Sequence, residues 1–335
     1  MATSSADGTE VTTTKRTVKF DTAEDVADLV EAINERAHCL HTISLEGNSY
    51  GVEAARALGE ALSQAGALKH LLLNDMFTSR LKDEIPAALE LLFGAVQASG
   101  AQIETLNLND NAIGPVTMPV LTPFLSSTAC TASLKVLRLN NCGLGIKGGQ
   151  MLSTVLPQLE HLTELIIGRN RLEVDGVRDI AAALEQLRRL EVLELPQNGT
   201  KAAGIEALMR AVTANAANLR VLNLNDNVLR KRGPLVAEAI RGLRRLQVLN
   251  LGDCLLGTDG ALAVLAALQT LAATAGVHYL RELVLSGNGI SVRKAAAAAA
   301  QGQDLGETII ATVEQLLAGR ASPSTVLRLD LGVNN

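Results

Sequence analysis

The chain has few aromatic residues, and this scarcity restricts what its core can be made of. Its 335 residues include no tryptophan, two tyrosines and four phenylalanines, so aromatic side chains make up only 2% of the composition. Hydrophobic residues still account for 47% of the chain, which is enough for a large buried core. Leucine, alanine, valine and isoleucine must supply that core, and side chains of this size suit many small, similar layers.

The sequence also lacks a strong charge of one sign. Thirty basic and 35 acidic residues give a formal net charge of −5, which argues against a protein that follows the phosphate backbone of nucleic acids. No apolar run reaches the length of a membrane span, and residues 1–20 contain no apolar segment of the kind that a secretory signal needs. We therefore expect no nucleic-acid partner, no membrane partner and a cytoplasmic location.

Cysteines are few, and the common catalytic motifs are missing. Cys39, Cys130, Cys142 and Cys254 lie far apart and form no CxxC pair, which favours reduced thiols and no metal site. The sequence contains no G-x-x-x-x-G-K-[ST], HExxH, GxSxG or EF-hand pattern. These absences favour an interaction protein over an enzyme with a nucleotide or active site of its own.

What is present is a nine-residue frame, L-x-x-L-x-L-x-x-N/C, that recurs along nearly the whole chain. Its ten instances begin at Leu40, Leu68, Ile103, Leu134, Leu162, Leu190, Leu219, Leu246, Leu280 and Val326. Most are followed by a segment with apolar residues at three- and four-residue spacing, such as GVEAARALGEAL from Gly51. Each repeat is therefore predicted to be a strand, a turn and a helix, with the length of the longer leucine-rich repeats.

The predicted fold is an α/β leucine-rich-repeat solenoid, or horseshoe, of about ten repeats. A parallel β-sheet would line its concave face and helices its convex face. Residues 19–335 are predicted to form a single domain of this kind. Residues 1–18 are polar and outside the frame, and we expect them to be a mobile tail.

Each position of the frame has a physical reason. The alternating leucines of the strand point into the layer between sheet and helices. The asparagine at the ninth position can bond backbone groups that the turn leaves unpaired. Cys142 and Cys254 occupy this ninth position, and we interpret them as small buried fillers rather than redox-active or metal-binding residues.

The second repeat departs from the frame, because its ninth position is Met76 and it is 35 residues long. The extra residues, MFTSRLKDE, are expected to leave the strand as a loop, with Pro86 at the start of the next helix. Such a loop would present Arg80 and Lys82 to a partner. From the residues alone, an ordinary solvated loop explains these charges equally well.

Several segments, in this order, carry a resemblance to a known family. ISLEGNSYGVEAARAL, MFTSRLKDEIPAALELLFGAV, LRLNNCGLG, IIGRNRLE, LNLNDN and LGDCLLGTDGA resemble the leucine-rich-repeat domain of RanGAP, the GTPase-activating protein family of Ran. The loop segment is the most specific, since generic leucine-rich repeats share the leucine and asparagine skeleton and have no reason to share this loop.

The resemblance implies a monomeric protein that binds a Ran-type GTPase in its GTP form through the loop rim and stimulates hydrolysis. The GTPase would supply the nucleotide, Mg²⁺ and catalytic glutamine, so no cofactor or metal of the protein's own is expected. It also implies a cytoplasmic location, which includes the cytoplasmic side of the nuclear envelope. Asn141 would orient the GTPase's own residues, in place of an arginine finger, and Arg80 would contact the GTPase with some effect on rate. The other implied partner-binding residues are Lys82, Arg171, Asp226, Asp253 and Arg169.

Two alternatives remain open at this stage. Asn141, Asp226 and Asp253 share the eighth position of the frame, where a short polar residue also suits the turn itself. A leucine-rich-repeat scaffold without GTPase-activating activity, whether a non-catalytic Ran binder or a protein like ribonuclease inhibitor, would have the same frame.

Overall fold

The computed structural model describes residues 2–4, 8–13, 17–275, 279–290, 307, 309–311, 314 and 328–332. The contacts divide the chain into two compact units, Met1–Asn170 and Arg171–Asn335. The prediction that residues 19–335 form a single domain stays a prediction.

The first compact unit consists of short strands that alternate with helices. Its strands are β1 (Ala2–Ser4), β2 (Glu10–Thr13), β3 (Lys19–Phe20), β4 (Thr42–Ser44), β5 (Ser49–Tyr50), β6 (His70–Leu72), β7 (Thr105–Asn107), β8 (Val136–Arg138) and β9 (Glu164–Ile166). Its helices are α1 (Ala27–Arg36), α2 (Val52–Leu62), α3 (Glu84–Ala98), α4 (Gly114–Leu125), α5 (Thr128–Thr131) and α6 (Gly145–Val155), with 3₁₀ turns at Glu24–Val26 and Leu156–Gln158. Six strands pair as parallel neighbours in the order β2, β4, β6, β7, β8 and β9. In addition, β1 pairs antiparallel with β2, and β3 and β5 form a separate parallel pair.

The second compact unit repeats the same pattern. Its helices are α7 (Glu173–Leu184), α8 (Ala202–Ala214), α9 (Gly233–Ile240) and α10 (Gly257–Ala275), with a 3₁₀ turn at Arg230–Arg232. Its strands are β10 (Val192–Glu194), β11 (Val221–Asn223), β12 (Val248–Asn250), β13 (Glu282–Val284) and β14 (Arg328–Asp330), which pair in this order as parallel neighbours.

Every instance of the frame holds a strand at its third to fifth positions, which confirms the predicted leucine-rich repeats. The apolar frame positions of the first nine instances are buried, as Leu71 and Leu73 of the second repeat illustrate, whereas Leu329 and Leu331 of the last instance are half-buried. Helices follow the strands and bury their apolar stripes against the same layer, as α2 does with Leu58 and Leu62.

The ninth-position asparagines form a buried ladder behind the turns. Asn111 is typical: its Nδ2 donates to the carbonyl oxygens of Leu73 (2.8 Å) and Leu108 (2.9 Å), and its Oδ1 accepts from the backbone N–H of Met76 (2.9 Å). At Cys142 the thiol donates instead, to the carbonyl oxygen of Leu108 at 3.1 Å. Turn backbone groups that would otherwise be buried without partners are satisfied in this way, as the frame predicts.

The structure differs from the prediction of a mobile tail at residues 10–13. These residues form β2, which pairs in parallel with β4, and Val11 is completely buried. The side chain of Asn48 donates to Thr13 Oγ1 at 3.1 Å. The outer edge of β4 thus pairs with β2, and Asn48, the first ninth-position asparagine, bonds Thr13, neither of which the frame predicts.

Candidate functional site

In the first nine instances of the frame, the turn after the strand contains a left-handed residue at the eighth position. Values of φ between +49° and +68° occur at Gly47, Asp75, Asp110, Asn141, Arg169, Gln197, Asp226, Asp253 and Gly287. Gly, Asn and Asp adopt this conformation most readily. The turn therefore accounts by itself for an Asp or Asn at this position. It gives no such reason for Arg169, whose long side chain is exposed there.

Two further positions of the same turn are left-handed in several repeats, where glycine alternates with other residues: Leu255 is left-handed at the tenth position, and Ser79 and Arg230 are left-handed at the twelfth. The tenth position is left-handed at Gly143, Gly199 and Gly289, and the twelfth at Gly114, Gly145 and Gly257. The repeat that begins at Leu162 has Arg171 (φ 54°) and Glu173 (φ 55°) at these positions. Left-handed backbone costs a non-glycine residue about 1–2 kcal/mol, so these two exposed, charged residues stand where the backbone favours glycine. Sequence reasoning missed Glu173, although comparing twelfth positions across the repeats would have found it.

Asn141 lies in the turn between β8 and α6 with its side chain exposed. Its backbone N–H donates to the carbonyl oxygen of Gly168 at 2.9 Å, which fixes the turn. Its Nδ2 donates to Asp110 Oδ1 of the preceding repeat, also at 2.9 Å. No partner of the Asn141 carboxamide oxygen occurs among the residues that the structure describes. The carboxamide is thus held from one side by Asp110 and leaves its oxygen for another molecule.

Arg80 lies in the loop between β6 and α3, where the sequence predicts an exposed contact residue, but only 10% of its side chain is exposed. Its Nε donates to Ser49 Oγ (2.8 Å), and its Nη2 donates to the carbonyl oxygens of Ser49 (2.9 Å) and Phe20 (3.1 Å). Its Nη1 donates to the Asp21 carboxylate, and Glu84 lies 3.7 Å away. The guanidinium thereby joins the loop to β3 and β5. The expectation of a freely presented arginine is wrong, because carbonyl and carboxylate acceptors within the chain occupy its donors.

The remainder of this loop is anchored by burial and offers its tip to solvent. Met76 and Phe77 are buried, whereas Leu81 is 71% exposed and the neighbouring Lys82 is also exposed. Helix α3 begins at Glu84, two residues before the proline that was predicted to start it. Buried residues and the Arg80 contacts therefore hold a short segment whose exposed residues are Leu81, Lys82 and Asp83.

A shallow pocket of about 280 Å³ lies beside this segment. Lys82, Ile113, Val116 and Gly143 are among the residues that line it, and Val116 is 59% exposed. Sequence reasoning missed Leu81 and Val116, since an exposed apolar residue on an apolar helix or loop carries no distinctive pattern.

The compact units hold different parts of the predicted site. In the first, Arg80 and Lys82 follow β6, Asn141 follows β8, and Arg169 follows β9, with β7 between β6 and β8. In the second, Arg171 precedes α7, and the exposed residues Asp226 and Asp253 follow the neighbouring strands β11 and β12.

The buried thiols have the environment of structural residues. Burial raises the pKa of Cys130, Cys142 and Cys254 to about 12, so these groups are neutral thiols at physiological pH. Across the described ranges, no group of three or more His, Cys, Asp or Glu residues could hold a metal ion. Within the same ranges, every helix is too short or too polar to cross a membrane.

Comparison with known proteins points to one family in particular. A family model described as Leucine Rich repeat matches residues 158–181. The Ran GTPase-activating protein of Drosophila melanogaster is 40% identical over 216 residues, which cover 62% of this chain and 36% of that protein. Ran GTPase-activating protein 1 of Saccharomyces cerevisiae is 31% identical over 262 residues, which cover 73% of this chain and 63% of that protein.

Two further proteins are less similar in sequence. The ribonuclease inhibitor of Sus scrofa is 28% identical over 262 residues, 69% of this chain and 55% of the inhibitor. Among solved structures, an internalin of Listeria monocytogenes aligns at 17% identity and a TM-score of 0.34, over 84% of this chain and 82% of its own.

The chain spans from 36% to 63% of the length of these three relatives. The strands at each instance of the frame and the likeness to the fly and yeast proteins identify the chain as a leucine-rich-repeat protein related to the Ran GTPase-activating proteins.

Proposed function

We propose that the protein binds a Ran-type small GTPase in its GTP form and stimulates GTP hydrolysis. The partner supplies the nucleotide, Mg²⁺ and catalytic residues, and this chain contributes no nucleotide or metal site of its own. It acts as a monomer in the cytoplasm. Likeness to two proteins named Ran GTPase-activating protein supports this proposal over other uses of the same fold.

The observation that carries the proposal is the arrangement around Asn141. A carboxamide that orients another protein's residues must be exposed, and it must be held in one orientation before the partner arrives. Asn141 is exposed, and Asp110 accepts a hydrogen bond from its Nδ2. The Asn141 oxygen then accepts a hydrogen bond from the GTPase and orients its catalytic groups around the attacking water. Asp110 acts as a positioning residue in this account.

Arg80 has a different part in this proposal from that of an arginine finger. A finger must bring its guanidinium to the transferred phosphoryl group, whereas this guanidinium is bound within the chain by Ser49, Phe20 and Asp21. Arg80 holds the loop, and Lys82 at the exposed tip makes the contact with the GTPase. Arg169 and Arg171, together with Asp226 and Asp253, contribute basic and acidic contacts that orient the partner.

A non-catalytic scaffold is the second candidate, because the ribonuclease inhibitor shares the repeats at 28% identity. The two functions differ in a single measurement. Purified Ran preloaded with GTP is mixed with the protein, and hydrolysis is followed over one turnover. The proposal predicts acceleration by several orders of magnitude. Binding of Ran without acceleration favours the scaffold, and the absence of both contradicts the proposal.

A further inference from the structure

A second surface of the protein is independent of the residues discussed so far. In the second compact unit, a pocket of about 510 Å³ lies between the loop that precedes α8 and the turn that precedes α9. Four basic residues line it: Lys201, Arg230, Lys231 and Arg232. The pocket's volume lies within the range of about 300–1,000 Å³ that is usual for ligand sites.

Most of the positive charge in this pocket is not neutralised by the chain. Arg232 is paired, since its Nε lies 2.7 Å from Glu206 Oε1. Lys201, Arg230 and Lys231 are exposed, and among the residues that the structure describes none of the three forms an ion pair within 4.0 Å. Elsewhere in this compact unit, arginines such as Arg210 and Arg220 lie beside glutamates of neighbouring repeats. The pocket therefore concentrates positive charge in a protein whose formal net charge is −5.

The backbone around this charge is strained. Arg230 has φ 42°, a left-handed conformation that is unfavourable for an arginine. The next two residues continue a 3₁₀ turn up to Gly233, where α9 begins. Three successive basic residues therefore lie on one short 3₁₀ turn.

The rest of the pocket wall is apolar. Ala202 and Val228 are half-buried and Leu229 is buried, and all three line the pocket beside the basic residues. None of the lining residues is aromatic, so the pocket lacks the aromatic stacking platform that is typical of single-stranded nucleic-acid sites. A wall of this kind accommodates an aliphatic side chain, while the surrounding cations attract carboxylates.

We propose that this pocket binds an acidic peptide segment of a protein partner, with one aliphatic side chain against Val228 and carboxylates on Lys201, Arg230 and Lys231. Charge complementarity and the mixed wall favour such a segment over a nucleic acid or a lipid surface. The proposal does not depend on the GTPase-activating function, because the pocket uses none of the residues proposed for hydrolysis.

The test uses a short fluorescently labelled peptide in which one leucine lies between runs of glutamate. Its binding to the full chain is followed by fluorescence anisotropy. The proposal predicts saturable binding that weakens as salt is added. The double variant Arg230→Glu, Lys231→Glu is expected to bind about tenfold more weakly, which corresponds to roughly 1.4 kcal/mol. Its folding is expected to be intact, because acidic residues near the start of α9 suit the helix dipole.

A matched control separates this pocket from general charge effects. The variant Arg244→Glu, Arg245→Glu changes the formal charge by the same amount, at two exposed residues that precede β12. Its peptide affinity should remain close to that of the unchanged protein. A peptide with glutamine in place of glutamate should lose most of its binding.

Four results would overturn the proposal. The first is no binding of the glutamate peptide, and the second is an equal loss of affinity in both double variants. The third is equal binding of the glutamine peptide, and the fourth is tighter binding of a single-stranded oligonucleotide or of phosphatidylserine vesicles than of the peptide. The milder variant Lys201→Gln provides a check if the double variant fails to fold, and it too should weaken peptide binding.

Discussion

Replacing Arg80 by alanine should loosen the segment around β3 and β5 before it affects the rest of the fold. The change removes the donors that now reach Ser49 Oγ, the Ser49 carbonyl, the Phe20 carbonyl and the Asp21 carboxylate. Gly51 shows how closely the guanidinium is packed, since a Cβ at that position would lie 3.1 Å from Arg80 Nη1. A methyl group in place of the guanidinium would leave these acceptors to water or without partners.

The size of the effect follows from the exposure of each partner. Bonds from a charged donor contribute about 1.5–3 kcal/mol each, but the bonds to Ser49 and Phe20 are only part-buried and share one guanidinium, so together they contribute about 2 kcal/mol. Asp21 is largely exposed, and its ion pair adds at most about 1 kcal/mol. The expected loss is therefore about 2–3 kcal/mol in the free energy of opening this segment, or roughly 30- to 150-fold in its equilibrium constant.

Amide hydrogen exchange measures this opening directly. The backbone N–H of Ser49 donates to the Val18 carbonyl and that of Gly51 to the Phe20 carbonyl, so both report on the segment. Protection at these two amides should fall in Arg80→Ala by about the factor given above, while the Leu251 amide in the other compact unit stays protected. In Arg80→Lys, protection at these two amides should be intermediate between that of the unchanged protein and that of Arg80→Ala, because lysine keeps the charge but lacks the planar guanidinium. Asp21→Asn should have the smallest effect. Unchanged protection at Ser49 and Gly51 in Arg80→Ala would refute the structural role of this arginine.

Two further predictions concern the turns and the thiols. Glu173→Gly should raise the free energy of unfolding by about 0.5–1 kcal/mol in urea denaturation, because the relief of left-handed strain outweighs the added entropy of the unfolded chain. As a control, Arg244→Gly, at a residue whose backbone is not left-handed, should lower the free energy of unfolding. A change of the same sign in both variants would contradict the strain argument. Cys142 and Cys254 should resist thiol reagents near neutral pH until urea unfolds the chain. The free energy of unfolding should fall as pH rises from about 9 toward about 12, because thiols of the unfolded chain ionise from about pH 9 while the pKa of the folded thiols is raised to about 12. Rapid labelling of both thiols in the folded protein would contradict the first expectation. The second would be contradicted if the protein lost no more stability at alkaline pH than the double variant Cys142→Ala, Cys254→Ala.

The repeats could be predicted from the sequence because the frame records both burial and turn geometry. Leucine positions, the asparagine ladder and the exchange of Asn for Cys at residue 142 all follow from local rules that repeat along the chain. Strand β2 could not be predicted in this way, since its partner β4 is distant in sequence and residues 10–13 lie outside the frame.

The candidate site could be predicted only in part, because some of its contacts come from residues that are distant in sequence. Asn141 and Asp226 could be named from the family motif, and the structure shows that the turn alone would also favour these residue types. The contacts of Arg80 depend on Phe20 and Ser49, which lie in strands far along the chain, so its sequence neighbours gave no sign that it is clamped. Glu173 was detectable only by comparing the backbone requirement of one position across repeats.

The saturating rate of GTP hydrolysis in single-turnover experiments tests the central claim most directly. Wild-type protein, Asn141→Ala and Arg80→Lys are each titrated against Ran preloaded with GTP, so that the rate at saturation is separated from the concentration required. The account predicts that Asn141→Ala still binds Ran but loses nearly all of the stimulation at saturation, whereas Arg80→Lys mainly raises the concentration required. Loss of the saturating rate in Arg80→Lys, with Asn141→Ala fully active, would contradict the account and make Arg80 an arginine finger.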